Sequence, residues 1–338
     1  MGDTFLAKAD CSTPKVFARF NSASPNLALT TLCSELFMQQ QSAWQQMTAG
    51  YASLEEVRVR EIICNGFSVK VQFNPKRIVS TGADVDPEAI SKRPCFLCLE
   101  NLPDKQQGVL YRDDFLILCN PAPIFSRHFT ISSMRHTPQV FVHSIDALLD
   151  LARDLIPDYS IFYNGPKCGA SAPDHLHFQA SPRRAIFAEW DAVDARRRKR
   201  FYYKNHVAGF TLTNYGRAAI VIESSDKNQL LAFIQAMIIE WKKLLHLTEE
   251  PMINVLCSYQ ENIWRLIIFP RYKHRPDIYF KEGDDRVLIS PAAVDMGGLI
   301  VTPLERDFLR VDARLIEDVF AEVSVKQEVV DSVLENMI

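Results

Sequence analysis

Long apolar runs are missing from these 338 residues, and so is any strong imbalance of charge. No stretch approaches the length that crosses a bilayer as a helix, so no membrane span is expected. Lys plus Arg total 38 and Asp plus Glu total 41, a formal net charge of −3. That balance removes the general electrostatic reason for a nucleic-acid surface, and any polyanion must be met locally. Glycine is scarce, 12 residues against 18 prolines, and no collagen-like, coiled-coil or disordered class fits. The start, MGDTFLAKAD, carries an early Asp and lacks the apolar core of a signal peptide, so the expected location is cytoplasmic.

What is present is the composition of an ordinary globular chain, 47% hydrophobic and 23% charged. Its length fits two domains, or one built from two similar halves. Of eight cysteines, Cys11, Cys33, Cys64, Cys119, Cys168 and Cys257 are scattered through a chain large enough to fold without staples, and read as reduced, mostly buried thiols. Cys95 and Cys98, in RPCFLCLENLP, stand only two residues apart. A pair so spaced serves a redox couple, two core thiols or half of a metal site.

Residues 1–52 hold a Gln-rich stretch, LTTLCSELFMQQQSAWQQMTAGY, with apolar positions near helical spacing, an accessory helical segment. LEEVRVREIICNGFSVKVQF reads as a hairpin turning at Asn65-Gly66. Short strand-like runs follow, then a helix carrying Ile145, Leu148, Leu149, Leu151, Ala152, Leu155 and Ile156, then the strands YSIFYN and HLHFQAS. The order recurs: RAAIVIESS, the amphipathic NQLLAFIQAMIIEWKKLL, PMINVLCSY and NIWRLIIFPR. At an offset of 88, Ile263, Arg265 and Ile267 take the positions of His175, His177 and Gln179. This predicts an α+β fold of two tandem halves, 53–190 and 191–338, the second without the histidines. Chance recurrence of strand-helix-strand patterns is the alternative.

In an extended strand, His175, His177 and Gln179 share one face and Leu176 and Phe178 the other. A lone H-x-H on a polar face is most simply a pair of solvated histidines. Here the preceding loop supplies Asn164, Lys167, Gly169 and Ser171, a composition suited to surrounding phosphate oxygens. An unprotonated imidazole nitrogen beside such a cradle can attack phosphorus. Arg77 and Arg127 are candidate phosphate contacts, with ordinary surface arginines as the alternative. The Arg196–Arg200 run reads first as a solvated face, and PRYKHRPD, 270–277, as a basic loop or a reach into the site.

NGPKCGASAPDHLHFQ resembles the active-site segment of the histidine triad superfamily, in its transferase branch, where the pattern is His-x-His-x-Gln. That branch includes galactose-1-phosphate uridylyltransferases, diadenosine tetraphosphate phosphorylases and GDP-hexose phosphorylases. The resemblance implies an intramolecular pseudo-dimer of antiparallel sheets and packed helices. It implies His177 as a nucleophile that takes a nucleoside monophosphoryl group, Gln179 as a hydrogen-bonding partner of that group, and Asn164 and Ser171 as phosphate contacts. One extra residue, Asp174, precedes His175 relative to the usual spacing. RPCFLCLENLP is similar to the zinc segment of the uridylyltransferases, which implies a structural zinc on Cys95, Cys98, His136 and His175 and no second metal. The amide of Gln179 donates a hydrogen bond but is no strong acid or base, which favours transfer over hydrolysis. The expected activity is transfer of a nucleoside monophosphate between a nucleotide sugar and a sugar phosphate. The alternatives are a phosphorylase of a dinucleoside polyphosphate or GDP-hexose, and a zinc-stabilised nucleotide-binding module without turnover. The oligomeric state is left open.

Overall fold

The computed structural model describes residues 14–21, 27–82 and 92–337, with Asp86, Glu88 and Ile90 between the last two spans. The readings of the first residues and of Cys11 fall outside them. In chain order the strands are β1 (Val16–Phe20), β2 (Arg58–Ile63), β3 (Ser68–Phe73), β4 (Gly108–Tyr111), β5 (Phe115–Cys119), β6 (Phe129–Ser133) and β7 (Tyr159–Asn164). They continue with β8 (His177–Pro182), β9 (Arg198–Lys204), β10 (Val207–Leu212), β11 (Ile220–Ser224), β12 (Ile253–Gln260), β13 (Ile263–Pro270) and β14 (Leu299–Thr302).

Eleven strands form one sheet, ordered β1-β4-β5-β6-β8-β7-β12-β13-β11-β10-β9. Read outward from the central β7–β12 pair, the two sides repeat one pattern: β7, β8, β6, β5, β4 against β12, β13, β11, β10, β9. A helix joins the third and first strands of each set, Ile145–Asp154 on one side and Lys227–Leu244 on the other. The repeat read from the sequence is therefore a structural pseudo-dimer with antiparallel pairing across its middle, Asn164 facing Asn254 and Phe162 facing Leu256. Where the offset places Arg265 opposite His177, the guanidinium instead pairs with Glu223 of the neighbouring strand.

Alternation along the strands creates two cores. One face of the sheet, with Phe178, Tyr163, Ile131 and Val255, packs against the helices Leu29–Ala43, Ile145–Asp154 and Lys227–Leu244. The other face, with Phe162, Leu256, Ile267 and Phe269, is covered in large part by β2, β3 and β14 and by the helix Ala313–Val323. The predicted hairpin turns at Gly66, whose φ of +87° suits glycine. Its strand β3 also pairs in parallel with β14 from near the chain end, a long-range partner that local periodicity does not reveal.

One sequence reading changes, and the solvated face expected of the basic run is an exposed turn and edge strand. Ile156 is 41% exposed, because the helix ends at Asp154 ahead of Pro157, whereas the other six apolar positions are buried. In the basic run, Arg196 and Arg197 lie in the turn before edge strand β9 and pair with Asp194 and Asp191, and Arg198 opens the strand and pairs with Glu223. Charges on an exposed edge discourage pairing with another chain, and these are already partnered. The thiols of Cys33, Cys64, Cys119, Cys168 and Cys257 are free and buried.

Phe178 lies beneath the strand that carries His177, fully buried between Phe115 and Tyr163. Phe178→Ala is expected to cost about 3–5 kcal/mol of stability through lost burial and the cavity left behind, measurable by urea denaturation.

Candidate active site

A cleft of about 670 Å³ opens on the polar side of β6, β7 and β8. His177 and Gln179, separated by one residue, both line it, as strand alternation requires. The His177 Nδ1 lies 2.8 Å from the carbonyl oxygen of His175. A carbonyl only accepts, so Nδ1 carries the proton and Nε2 keeps its lone pair. Burial lowers the pKa of this imidazole to about 4, so it is uncharged at neutral pH. The ring is thus oriented and neutral at the edge of a cavity, with Nε2 able to act as a nucleophile.

Gln179 is oriented by a histidine that the sequence reading passed over. His128, fully buried, places Nε2 2.8 Å from Gln179 Oε1, while its Nδ1 accepts the Ile124 N–H at 3.3 Å. The proton is therefore on Nε2, the Gln179 oxygen faces His128, and the Gln179 NH2 is left to meet a ligand. Gln139 adds a second brace. Its Oε1 accepts the His177 N–H at 2.7 Å, and its Nε2 donates to the carbonyls of Asn164 and His177 at 3.0 and 2.9 Å. It joins β7 and β8 where the strands diverge.

Asn164, Gly169, Ser171 and Arg77 line the same cleft. Gly169 has φ +109°, and a Cβ there would sit 2.6 Å from Ala292 Cβ, so the turn admits glycine alone. Arg77 donates from Nη1 to the Ala122 carbonyl at 2.8 Å, and Arg93 donates to the Ser171 carbonyl at 2.8 Å. Two expected contacts lie elsewhere. Lys167 is exposed and paired with Glu249, drawn outward by that carboxylate. Arg127 points to the opposite face of the sheet, where it donates to Ser34 Oγ at 2.9 Å and stacks 5.0 Å over Phe37. Strand parity explains the correction: Thr130 and Ser132 pair with Gln179 and His177, so His128 shares their side and Arg127 does not.

The second half closes the cleft. His274 and Arg275, from the loop after β13, line it with Ser290 and Asp295. Asp295 accepts the N–H groups of Ala292 and Val301 at 3.0 and 2.9 Å, and burial raises its pKa to about 6.

Beside the cleft, Cys95, Cys98, His136 and His175 place their ligand atoms within 4.8 Å of one another, a set that could hold a metal ion. His175 Nδ1 lies 3.3 Å from Cys95 Sγ and 3.6 Å from Cys98 Sγ, and His136 Nδ1 lies 3.1 Å from Cys98 Sγ. The far nitrogen of His175 donates to the Ser133 carbonyl at 2.8 Å, which leaves Nδ1 unprotonated toward the thiols. The extra residue Asp174 sets its carboxylate 3.5 Å from His136 Nε2.

Residues 36–182 match the family model described as a domain of unknown function, DUF4922, and residues 192–338 match the model described as GDPGP1-like, C-terminal domain. Among solved structures, yeast Ap4A phosphorylase Apa2 is similar in fold, with 12% identity over 83% of this chain and 96% of that one and a TM-score of 0.56. Apa2 in complex with AMP gives 15% identity, 83% and 95% coverage and a TM-score of 0.55. Its complex with Ap4A gives 14%, 83%, 97% and 0.53. A comparison with curated proteins finds no match.

Burial, reinforced by the charge of Arg77, lowers the His128 pKa from 6.5 to about 3. Between those values the unfolded chain binds a proton that the folded chain does not, so stability is intact above pH 6.5 and falls as the pH drops. The loss from this residue is expected to reach about 2 kcal/mol at pH 5. Urea midpoints at pH 7.5 and 5 should show it, with a shallower decline in His128→Gln.

Proposed function

We propose that this chain, whose second half matches the GDPGP1-like C-terminal model and whose fold is similar to that of a solved Ap4A phosphorylase, transfers a nucleoside monophosphoryl group through His177. The observation that carries this reading is the His177 Nδ1 bond to the His175 carbonyl, which leaves Nε2 free in a cleft shared with Gln179 and Asn164.

In the proposed reaction Nε2 attacks the α-phosphorus of a nucleotide phosphoanhydride. A phosphorus–nitrogen bond forms, the anhydride phosphorus–oxygen bond breaks, and the leaving phosphate departs with its electron pair. A phosphate oxygen of the acceptor then attacks the same phosphorus and returns the lone pair to Nε2. Nδ1 keeps its proton throughout, and the His175 carbonyl stabilises the positive charge that develops on the ring. The NH2 groups of Gln179 and Asn164 and the guanidinium of Arg77 hold the non-bridging oxygens. Gln179 offers water no base, so the intermediate waits for a phosphate-bearing acceptor.

A nucleotide sugar as donor and a sugar phosphate as acceptor fit this chemistry. A second reading makes inorganic phosphate the acceptor and the chain a phosphorylase. It is favoured by the phosphorylase named in the solved relatives and by the compact basic wall of Arg77, Arg93 and Arg275. Tetrahedral zinc with two thiolates and two imidazoles places sulfur and nitrogen roughly 3.5 Å apart. The Cys95, Cys98, His136 and His175 separations suit that ion, which would fix the strand entering β8.

Intact-mass measurement after mixing with UDP-glucose, GDP-hexoses and diadenosine polyphosphates should show a gain of one nucleoside monophosphate. His177→Ala should abolish the gain and lower turnover on the order of 10,000-fold or more. A wild-type chain that turns substrate over with no such adduct, or an active His177→Ala, would refute the reading. Adding inorganic phosphate or a hexose 1-phosphate to the loaded protein separates the two acceptors.

Metal analysis of the purified chain should find about one zinc per molecule. Cys95→Ser should lose it and lower the thermal midpoint, whereas full zinc content in that variant would remove Cys95 from the ligand set.

A further inference from the structure

The halves of the sheet meet at β7 and β12, and the facing residues beside the cleft are Asn164 and Asn254. Asn254 donates from Nδ2 to Asn164 Oδ1 at 3.1 Å and to the Cys168 carbonyl at 2.7 Å. Its Oδ1 accepts from Arg271 Nη1. A guanidinium only donates, so the direction of both amides follows from Arg271. Asn254 must turn its oxygen to Arg271 and its NH2 to Asn164, and Asn164 must turn its oxygen to Asn254. The Ala293 N–H, 2.7 Å from that same Asn164 oxygen, imposes the same sense. What Asn164 has left is its NH2, and Asn164 lines the cleft with His177.

Nothing in this chain of bonds has room to turn. Asn254 is fully buried and Arg271 is 3% exposed. Arg271 also donates to the carbonyls of Pro291 at 2.7 Å, Lys273 at 3.1 Å and His274 at 3.0 Å. The last two belong to the loop that brings His274 and Arg275 to the cleft.

We propose that Arg271 and Asn254, from the half without the His-x-His-x-Gln motif, are positioning residues that aim the Asn164 NH2 at the phosphoryl group undergoing transfer. This inference rests on the role proposed for His177. Asn164 is the residue that would touch substrate; Asn254 and Arg271 act through it. A carboxylate at 254 could still accept from Arg271 but could not donate to Asn164, so two acceptors would face each other and only the Ala293 N–H would oppose a turn of the cleft amide toward the carboxylate.

The test is a double-mutant cycle on the rate of nucleotidyl loading, read by rapid-quench mass measurement, with circular dichroism to verify folding. Asn164→Ala and Asn254→Asp are each expected to slow loading about 10-fold or more. The double variant should load no more slowly than Asn164→Ala alone, because the second residue acts only through the first. If Asn254→Asp does not fold, the uncharged Asn254→Ala completes the same cycle. A purely structural role for Asn254 predicts losses that multiply, and that result overturns the proposal while leaving the His177 reading intact. Unchanged loading in a folded Asn254 variant overturns it equally. A wild-type chain that takes no adduct from any of the donors overturns the function and this inference together.

Discussion

The hydrogen bond from His177 Nδ1 to the carbonyl of His175, two residues earlier, is the constraint on which the site depends. It settles the tautomer, and the tautomer decides which nitrogen can act. The bond needs the backbone of 175 held still, and three sets of contacts do so. The side chain of His175 lies against two thiols and the Ser133 carbonyl, Gln139 clamps the main chain at 177, and β6 and β7 flank β8 on both sides. A cluster that could hold a metal ion and the proposed nucleophile thus share one short stretch, so rigidity in the first would become orientation in the second.

Neutral polar groups dominate the floor of the cleft, and burial keeps them neutral. His128 and His177 both have pKa values well below the ordinary histidine range, and each is hydrogen-bonded on one side so that its other nitrogen has a defined role. Positive charge comes from lining arginines such as Arg77 and Arg93, held in place by bonds to the Ala122 and Ser171 carbonyls. Under the proposed function, such a layout would bind phosphate oxygens through fixed donors while sparing the His177 ring a proton.

Much of this was legible in the sequence because it is local. Alternation put His177 and Gln179 on one face, and residue type and order brought together Cys95, Cys98, His136 and His175. The pseudo-dimer followed from two runs of the same pattern. The misreadings have equally definite causes. Arg127 was chosen for its charge although strand parity favoured its neighbour His128, and Lys167 answered to Glu249, which is 82 residues away. Asn254 carries no local signature, because its partners Asn164 and Cys168 lie in the other half of the chain and only the β7–β12 pairing brings them near; Asp295 is placed by Ala292 and Val301 of its own half, beside a cleft the sequence does not show.

That central seam has a consequence for how such a molecule can change. In a true homodimer every substitution appears twice, so a loop cannot be reshaped to suit one ligand without altering both sites. Two unlike halves joined across β7 and β12 in one chain carry no such constraint. The half without the His-x-His-x-Gln motif is free to vary as a wall, yet it cannot be discarded, since without it β7 would present a naked hydrogen-bonding edge along the floor of the site.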